Sequence, residues 1–328
     1  MGRRQVIALA ALACCVSLAA HAFDLEGHRG ARGLAPENTL PAFAKALSLG
    51  VSTLELDVGV TRDGVVVISH ERGMTPNIAR GPDGRWISQP GPLIHDLTYA
   101  ELERYDVGRL NPATRYARKF PDQVPVDGTH VPRLAELFAL VKKSGNRSVR
   151  FNIETKLSPE APADTLPPEP FVRALIAAIR AGRMEKRSMI QSFDWRTLKI
   201  LQKEAPQIPT VYLSARRSWL DNIRVGDPAG SPWTAGLKFA DYGSVPKMVK
   251  AAGGAVWSPF WGDLDAAKVA EAHALGLKVI PWTASTRAQI DAILALKVDG
   301  LITDRPDWAR DAMQHAGIPL PKATPVAP

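Results

Sequence analysis

Histidines and carboxylates recur in this 328-residue chain at spacings that suit catalysis. His28 and Arg29 lie in a glycine-rich turn, and His70 follows a short apolar run. Glu55 and Asp57 are two residues apart, so both side chains would lie on one face of a strand. Ionised carboxylates that cluster inside a protein are costly unless a cation accompanies them. The pattern therefore indicates a site that binds a cation.

A second run of polar residues shows the same alternation. Asn152, Glu154 and Lys156 would share one strand face, while Ile153 would point into the packing on the other face. If the two strands are neighbours, three carboxylates, two histidines, an arginine and a lysine converge. Ligation by oxygen atoms alone favours a hard divalent cation, Ca²⁺ or Mg²⁺, over zinc.

These residue types fit the cleavage of a phosphodiester. Imidazole titrates near neutral pH, so His28 and His70 suit a general acid and base. Arg29 and Lys156 would supply the positive charge that phosphate oxygens require. Each residue also has a simpler interpretation when taken alone. A strand glutamate often pairs with a nearby lysine, and a histidine at the start of a loop is usually structural.

Short β-branched runs alternate with amphipathic helical stretches through the chain. Leaving out a hairpin strand, eight parallel strands are predicted to begin near residues 25, 53, 149, 188, 210, 254, 278 and 300. Eight strand–helix units predict a (β/α)8 TIM barrel, whose active site lies at the carboxyl ends of the strands. An open doubly wound sheet is the alternative fold. The polar residues above all lie at predicted strand ends.

An inserted segment follows the second strand. Thr61–Gly64 has the composition of a hairpin turn, so Val65–Ser69 should pair antiparallel with the preceding strand and bring His70 back near Glu55. Residues 71–130 are rich in Gly, Pro and polar side chains and form the predicted insertion. Residues 23–328 are otherwise predicted to be a single domain.

Residues 1–22 are predicted to be a signal peptide. Arg3 and Arg4 precede an apolar stretch, and Ala20-His21-Ala22 forms an A-x-A cleavage site. We therefore expect export to the periplasm or the medium, with a lipoprotein signal in Leu12-Ala13-Cys14-Cys15 as the weaker alternative. Both cysteines lie in this segment, so no disulfide is expected in the processed chain.

The charge and hydropathy of the chain bound its partners. Removing residues 1–22 removes two arginines and no acid, which lowers the formal net charge from +8 to +6. Basic residues are scattered and are not interleaved with aromatic ones, so nucleic acid is not an expected partner. A small anionic substrate suits this charge better. No stretch after residue 22 is long and apolar enough for stable membrane insertion, and nothing in the sequence indicates an oligomeric state.

The ordered motifs of the chain resemble the glycerophosphodiester phosphodiesterase family. They run from residue 25 to about residue 308. The matching motifs are His28-Arg29-Gly30, Pro36-Glu37-Asn38-Thr39, Glu55-x-Asp57, Asp63-Gly64 with His70, Ile153-Glu154-Thr155-Lys156, Gln191-Ser192-Phe193, Trp282-Thr283 and Thr303-Asp304-x-Pro306.

The resemblance implies a (β/α)8 barrel with an insertion after the second histidine, and hydrolysis of a glycerophosphodiester to sn-glycerol 3-phosphate and an alcohol. It also implies attack by the substrate's own neighbouring hydroxyl, through a cyclic phosphate. By the same resemblance, residues are expected in these roles: His28 and His70 as the acid/base pair; Glu55, Asp57 and Glu154 as ligands of Ca²⁺ or Mg²⁺; Arg29 and Lys156 as phosphate contacts; Gln191 and Trp282 as further substrate contacts.

One departure from the family concerns the alcohol that is released. His70 is followed by Glu71-Arg72-Gly73, where family members usually have an aspartate and an L-x-R-T-T-like phrase. Two other functions remain open: a phospholipase C- or D-like enzyme acting on intact lipid, and a non-catalytic exported solute-binding protein. Arg32 has no assigned role and is expected at the surface.

Overall fold

The computed structural model describes residues 23–328, so the predicted signal peptide lies outside the described residues. The strands are β1 (Asp24–Gly27), β2 (Thr53–Val60), β3 (Val66–Ile68), β4 (Arg150–Thr155), β5 (Ser188–Ser192), β6 (Thr210–Ser214), β7 (Arg216–Arg217), β8 (Leu220–Asp221), β9 (Val256–Pro259), β10 (Lys278–Val279) and β11 (Gly300–Thr303). The helices are α1 (Leu40–Leu49), α2 (Tyr99–Leu102), α3 (Leu134–Lys143), α4 (Pro168–Gly182), α5 (Trp195–Glu204), α6 (Phe239–Tyr242), α7 (Val245–Ala251), α8 (Ala266–Ala274), α9 (Arg287–Ala295) and α10 (Pro306–His315). None of the helices in this range has the length and apolar composition to span a bilayer.

Eight of these strands form a parallel barrel. Their order around the sheet is β10, β9, β6, β5, β4, β2, β1 and β11, and β3 pairs antiparallel with β2. Backbone hydrogen bonds of 2.9 Å from Asp299 to Val279 and from Ile302 to Pro281 link the two ends of this order. The predicted (β/α)8 barrel is therefore confirmed, and the open doubly wound sheet is wrong.

The strand near residue 278 is shorter than expected. A strand through Trp282 is predicted, but regular pairing ends at Val279. Pro281 has no N–H group, so the ladder loses a donor there. The amide groups of Ile280 and Trp282 still bond to Trp257 and Pro259 of the neighbouring β9, which keeps Trp282 at the carboxyl end of the barrel.

Side-chain alternation separates the outer core from the barrel interior. Leu56 and Ile153 are fully buried in the main apolar cluster, as their strand positions predict. A separate cluster comprises Met189, Val211, Val256, Ile280 and Ile302, from strands β5, β6, β9, β11 and the segment after β10. Above this apolar layer, the strand ends carry the polar residues of the site.

The insertion between β3 and α3 has a small apolar core of its own. Buried side chains from the segment pack against Val67 of β3; they are Met74, Ala79, Ile94, Tyr99, Leu102, Val107 and Val131. The sequence of Thr98–Arg104 has a helical pattern, and the structure forms the single turn α2 there, which starts with a capping box between Thr98 and Glu101. The insertion begins directly after His70, which follows the hairpin of β2 and β3.

Candidate active site

The turn after β1 requires two glycines. A Cβ atom on Gly27 would lie 2.1 Å from the carbonyl oxygen of Gly30, and Gly30 itself has a φ of +85°. Between them, Arg29 also adopts a left-handed φ of 49°. The Arg29 amide donates a 2.8 Å hydrogen bond to the Glu55 carboxylate. The carboxylate of Glu55 therefore stabilises this left-handed turn. The turn places His28 at the mouth of the barrel.

Three carboxylates meet at the ends of β2 and β4. One oxygen atom from each of Glu55, Asp57 and Glu154 lies within 4.8 Å of the others. The register pairs Asp57 directly with Glu154, and all three side chains are buried. Three converging carboxylate oxygens are a donor set for a hard divalent cation. The cluster can therefore hold a metal ion.

Burial opposes the ionisation of the carboxyl groups in this cluster. Burial, with the neighbouring Asp57, raises the pKa of Glu55 well above its usual range, and burial raises that of Glu154 to about 7. Burial acts on Asp57 in the same direction, but the charges of His70 and Lys156 outweigh it and lower its pKa. Glu55 and Glu154 thus resist ionisation, whereas Asp57 is ionised. A divalent cation would stabilise the ionised form of all three carboxylates, because it would replace the water that burial removes.

Two of the predicted substrate contacts hold the carboxylates in this structure. The Arg29 guanidinium lies 2.5 Å from Glu37 and 3.3 Å from Asp57. Gln191 donates a 2.6 Å hydrogen bond to Glu55. Gln191 therefore fixes the orientation of a candidate metal ligand, in addition to lining the cavity.

His28 has one ring nitrogen held and the other directed toward the carboxylates. Its Nδ1 lies 2.6 Å from Oδ1 of Asp304, and its Nε2 lies 3.9 Å from Glu55. Burial and the charge of Arg32 lower the pKa of His28 to about 4, against the opposing effect of Asp304. His28 is thus a neutral imidazole at pH 7 in this structure.

His70 lines the same cavity as His28. Its Nδ1 lies 2.8 Å from Glu71, the residue that stands where the family usually has aspartate. Burial and the charges of Arg29 and Lys156 lower the pKa of His70 to about 4. The carboxylate of the residue that follows His70 therefore holds its ring.

The predicted residues surround one cavity of about 380 Å³. Asp57 is not among the lining residues, but it contacts Arg29 and Lys156, which are. The wall away from the carboxylates is largely aromatic, with Phe193 packed edge-on against Trp282 at 5.2 Å between ring centroids. The predicted residues that line it are His28, Arg29, Glu55, His70, Glu154, Lys156, Gln191 and Trp282.

Two residues at the cavity differ from the sequence-based expectations. Arg32, expected at the surface, is mostly buried and makes two hydrogen bonds to Asp304, of 2.8 and 3.0 Å. Asp304 belongs to a recognised motif, but nothing in the local sequence shows that Arg32 would reach it. Trp219 lies on the short hairpin of β7 and β8 and lines the cavity while 60% exposed. That hairpin has no signal in the sequence.

Comparisons with known proteins agree with this geometry. The model of the glycerophosphoryl diester phosphodiesterase family matches residues 28–308. A glycerophosphodiester phosphodiesterase of Caldanaerobacter subterraneus subsp. tengcongensis is 27% identical over 88% of this chain and 97% of its own length. A crystal structure from Silicibacter pomeroyi, named after the same family, has a TM-score of 0.80 at 36% identity and covers 92% of this chain and 96% of that one.

A more distant structure supports the fold. An Oleispira antarctica phosphodiesterase, in complex with the product sn-glycerol-3-phosphate, has a TM-score of 0.64 at 21% identity, over 89% of this chain and 96% of that one. The family match spans nearly all of the described residues, and it includes both histidines and all three carboxylates of the cavity. The chain belongs to the glycerophosphoryl diester phosphodiesterase family.

Proposed function

We propose that this enzyme hydrolyses glycerophosphodiesters to sn-glycerol 3-phosphate and an alcohol, with His28 and His70 as its acid/base pair. The observation that carries the proposal is the placement of two imidazoles beside a three-carboxylate cluster in one cavity. The product bound to the Oleispira antarctica protein supports the glycerol phosphate half of the substrate. Attack by the substrate's neighbouring hydroxyl gives a cyclic phosphate, which water then opens.

Glu55, Asp57 and Glu154 would hold Ca²⁺ or Mg²⁺, since all of their ligand atoms are oxygens. The bound ion would stabilise negative charge on a nonbridging phosphate oxygen.

Two cationic side chains bind the phosphate in this proposal. Lys156 lies at the cluster with its Nζ 2.8 Å from Glu154, within reach of an oxyanion in the same cavity. Arg29 is held by Glu37 and Asp57, so its guanidinium is already oriented when substrate arrives. Trp282 forms part of the aromatic wall and would contact the organic part of the diester.

The histidines move the protons. A neutral imidazole accepts a proton from the attacking hydroxyl, and burial keeps both rings neutral near pH 7 in this structure. The phosphate's negative charge raises the pKa of an adjacent imidazole. The second histidine can then carry the proton that the leaving alcohol requires.

The two alternatives predict different surroundings for this cavity. A phospholipase-like enzyme needs an apolar rim, but the large apolar side chains exposed among residues 23–328 are few: Val124, Val126, Trp219 and Leu320. A solute-binding protein needs phosphate contacts, but it does not need two imidazoles beside three carboxylates. A small diester substrate is therefore the proposal that the site supports best.

Release of glycerol 3-phosphate from glycerophosphocholine tests the proposal. We expect EDTA to abolish release and His28→Ala or His70→Ala to lower kcat at least about 100-fold, the range of general acid–base contributions. His315→Ala, at an exposed histidine on α10, is the matched control and should retain full activity. Activity that survives EDTA or either active-site substitution would contradict the mechanism. Lack of release from every water-soluble diester, with cleavage of lipid vesicles or with binding alone, would favour the alternatives.

The export of the chain is a separate proposal. It rests on the basic start, the apolar stretch and the A-x-A site of residues 1–22. Mass spectrometry of the protein from the periplasm or medium should find an amino terminus at Phe23. An unprocessed chain confined to the cytoplasm would contradict it.

A further inference from the structure

Residues 116–124 of the insertion, here named the latch, lie across the loop that carries His28. The side chain of Gln123 donates a 2.8 Å hydrogen bond to the carbonyl oxygen of Arg32. The amide of Val124 donates a 3.0 Å hydrogen bond to the carbonyl oxygen of Leu34. The latch is therefore hydrogen-bonded to the backbone of residues 32–34, which directly follow the turn that contains His28.

The latch also contacts the Arg32 side chain. The guanidinium lies 4.6 Å from the centre of the Phe120 ring and donates a 3.1 Å hydrogen bond to the Tyr116 hydroxyl. Tyr116 in turn donates to Glu37. On its other edge, the same guanidinium binds both carboxylate oxygens of Asp304. Only 12% of the Arg32 side chain is exposed, so these contacts hold it in one orientation.

Asp304 links Arg32 to His28 through hydrogen bonds. Its Oδ1 accepts from both Arg32 and His28 Nδ1, at 2.8 and 2.6 Å, and its Oδ2 accepts from Ser285 at 2.9 Å. A carboxylate fixed on three sides cannot rotate away from the imidazole. The proton is therefore held on Nδ1, and Nε2 stays directed into the cavity as an acceptor.

We propose that the latch positions His28 for proton transfer through Arg32 and Asp304. Arg32 also lines the cavity, but its three guanidinium nitrogens already donate hydrogen bonds to Asp304 and Tyr116, so we assign Arg32, like Asp304, a positioning role. The inference rests on the proposed function, in which His28 transfers a proton. It gives the insertion a role in catalysis even though the latch itself lies outside the cavity.

Substitution of Arg32 tests the relay. We expect Arg32→Ala to lower kcat about 10- to 100-fold, the usual effect of removing an outer partner of an oriented imidazole. KM and the affinity for Mn²⁺ should change less than about threefold, because Arg32 makes no hydrogen bond to the three carboxylates. Arg32→Lys should fall between wild type and Arg32→Ala, since an ammonium cannot bind two carboxylate oxygens in a planar fork.

Chemical rescue separates positioning from loss of structure. Millimolar methylguanidinium should restore part of the kcat of Arg32→Ala, since it refills the space between Asp304 and Phe120. Arg109→Ala is the matched control, because Arg109 lies in the same insertion, pairs with Asp127 at 2.6 Å and is 42% exposed. It should keep wild-type kcat. A kcat of Arg32→Ala within a factor of two of wild type would overturn the inference. A loss of kcat that methylguanidinium does not restore would also overturn it.

Two substitutions within the latch test its part in the relay. Tyr116→Phe and Phe120→Leu should each lower kcat about three- to tenfold while KM stays nearly constant, because each loosens one side of Arg32. Full activity of the double variant would show that the latch has no catalytic role.

A spectroscopic readout tests the relay without turnover. Histidine side-chain ¹H–¹⁵N spectra at pH 7 should show His28 as a single Nδ1–H tautomer in wild type and as averaged signals in Arg32→Ala. The signals that vanish in His28→Asn assign the residue. If wild type released no glycerol 3-phosphate, the proposed function would fail, but these spectra would still decide whether Arg32 orients His28. Identical His28 signals in wild type and Arg32→Ala would overturn the relay.

Discussion

The ammonium group of Lys156 lies 2.8 Å from Oε1 of Glu154 and 3.6 Å from Oδ1 of Asp57. Both carboxylates belong to the cluster that can hold a metal ion. The ammonium group of Lys156 therefore lies beside two of the carboxylates that would bind a divalent cation. A bound divalent ion and Lys156 would repel one another, while both would attract a phosphate group.

Lys156→Met should change metal binding and catalysis in opposite directions. Removing the ammonium removes its repulsion of the ion, so we expect roughly three- to tenfold tighter Mn²⁺ binding at pH 8.5. The same change removes a phosphate contact, so kcat/KM should fall about 100-fold or more. Isothermal titration calorimetry and steady-state kinetics on one preparation measure both effects. Weaker metal binding in Lys156→Met would show that the lysine supports the ligands and does not compete with the ion.

Metal affinity should weaken as the pH falls below 7. Burial raises the pKa of Glu154 to about 7 and, with the neighbouring Asp57, raises that of Glu55 well above its usual range, so at lower pH the ion must displace protons from these carboxyl groups. Each displaced proton lowers the apparent association constant by up to about tenfold per pH unit. Calorimetry in two buffers of different ionisation enthalpy would detect the released protons. Affinity that stays constant between pH 5.5 and 7.5 would contradict this expectation.

Gly27→Ala should destabilise the protein by about 2–3 kcal/mol, in the range of overpacked sites. A Cβ atom there meets the Gly30 carbonyl oxygen at 2.1 Å, and neither backbone segment can move without disturbing the turn. Urea denaturation measures the change in the free energy of unfolding. Gly226→Ala is the control, because Gly226 has nothing within 4 Å of an added Cβ and should change stability by less than about 0.5 kcal/mol. Equal effects of the two substitutions would rule out the close approach as the cause.

The metal-free protein should lose stability through His28 as the pH falls. Burial lowers the pKa of His28 to about 4 from 6.5, so between these values the unfolded chain binds a proton that the folded chain does not. The free energy of unfolding therefore falls with pH in this window, by up to about 3 kcal/mol at pH 4. His28→Asn lacks this contribution, so its stability relative to wild type should rise as the pH is lowered from 7 to 4.

Urea denaturation in EDTA at several pH values measures this difference. His315→Asn, the same substitution at an exposed histidine, should track the pH dependence of wild type. A stability difference between wild type and His28→Asn that does not change with pH would contradict the expectation.

Local pattern predicts the barrel and the carboxylate cluster because both depend on strand alternation. Glu55 and Asp57 flank Leu56, and an apolar residue between two acids specifies which face of a strand is buried in the outer core. The parallel register then brings Glu154 beside Asp57 without further information.

Ion pairs between residues far apart in the chain could not be predicted from local sequence patterns. Arg32 meets Asp304 across 272 residues, and the two become neighbours only because the first and last strands of the barrel pair. Regular pairing of the strand near residue 278 also ends early at Pro281, where tertiary contacts keep Trp282 in place. Sequence patterns fix which residues face inward, whereas the ionic partners of those residues depend on how the barrel closes.

Pairing of the first strand with the last has a consequence for biosynthesis. His28 and the three carboxylates are made well before Asp304, so the residue that orients the imidazole is the last of this set to be synthesised. An incomplete chain ending before β11 would lack the orienting partner of His28. The order of synthesis thus makes the orientation of His28, the proposed acid/base residue, one of the last features that the polypeptide acquires.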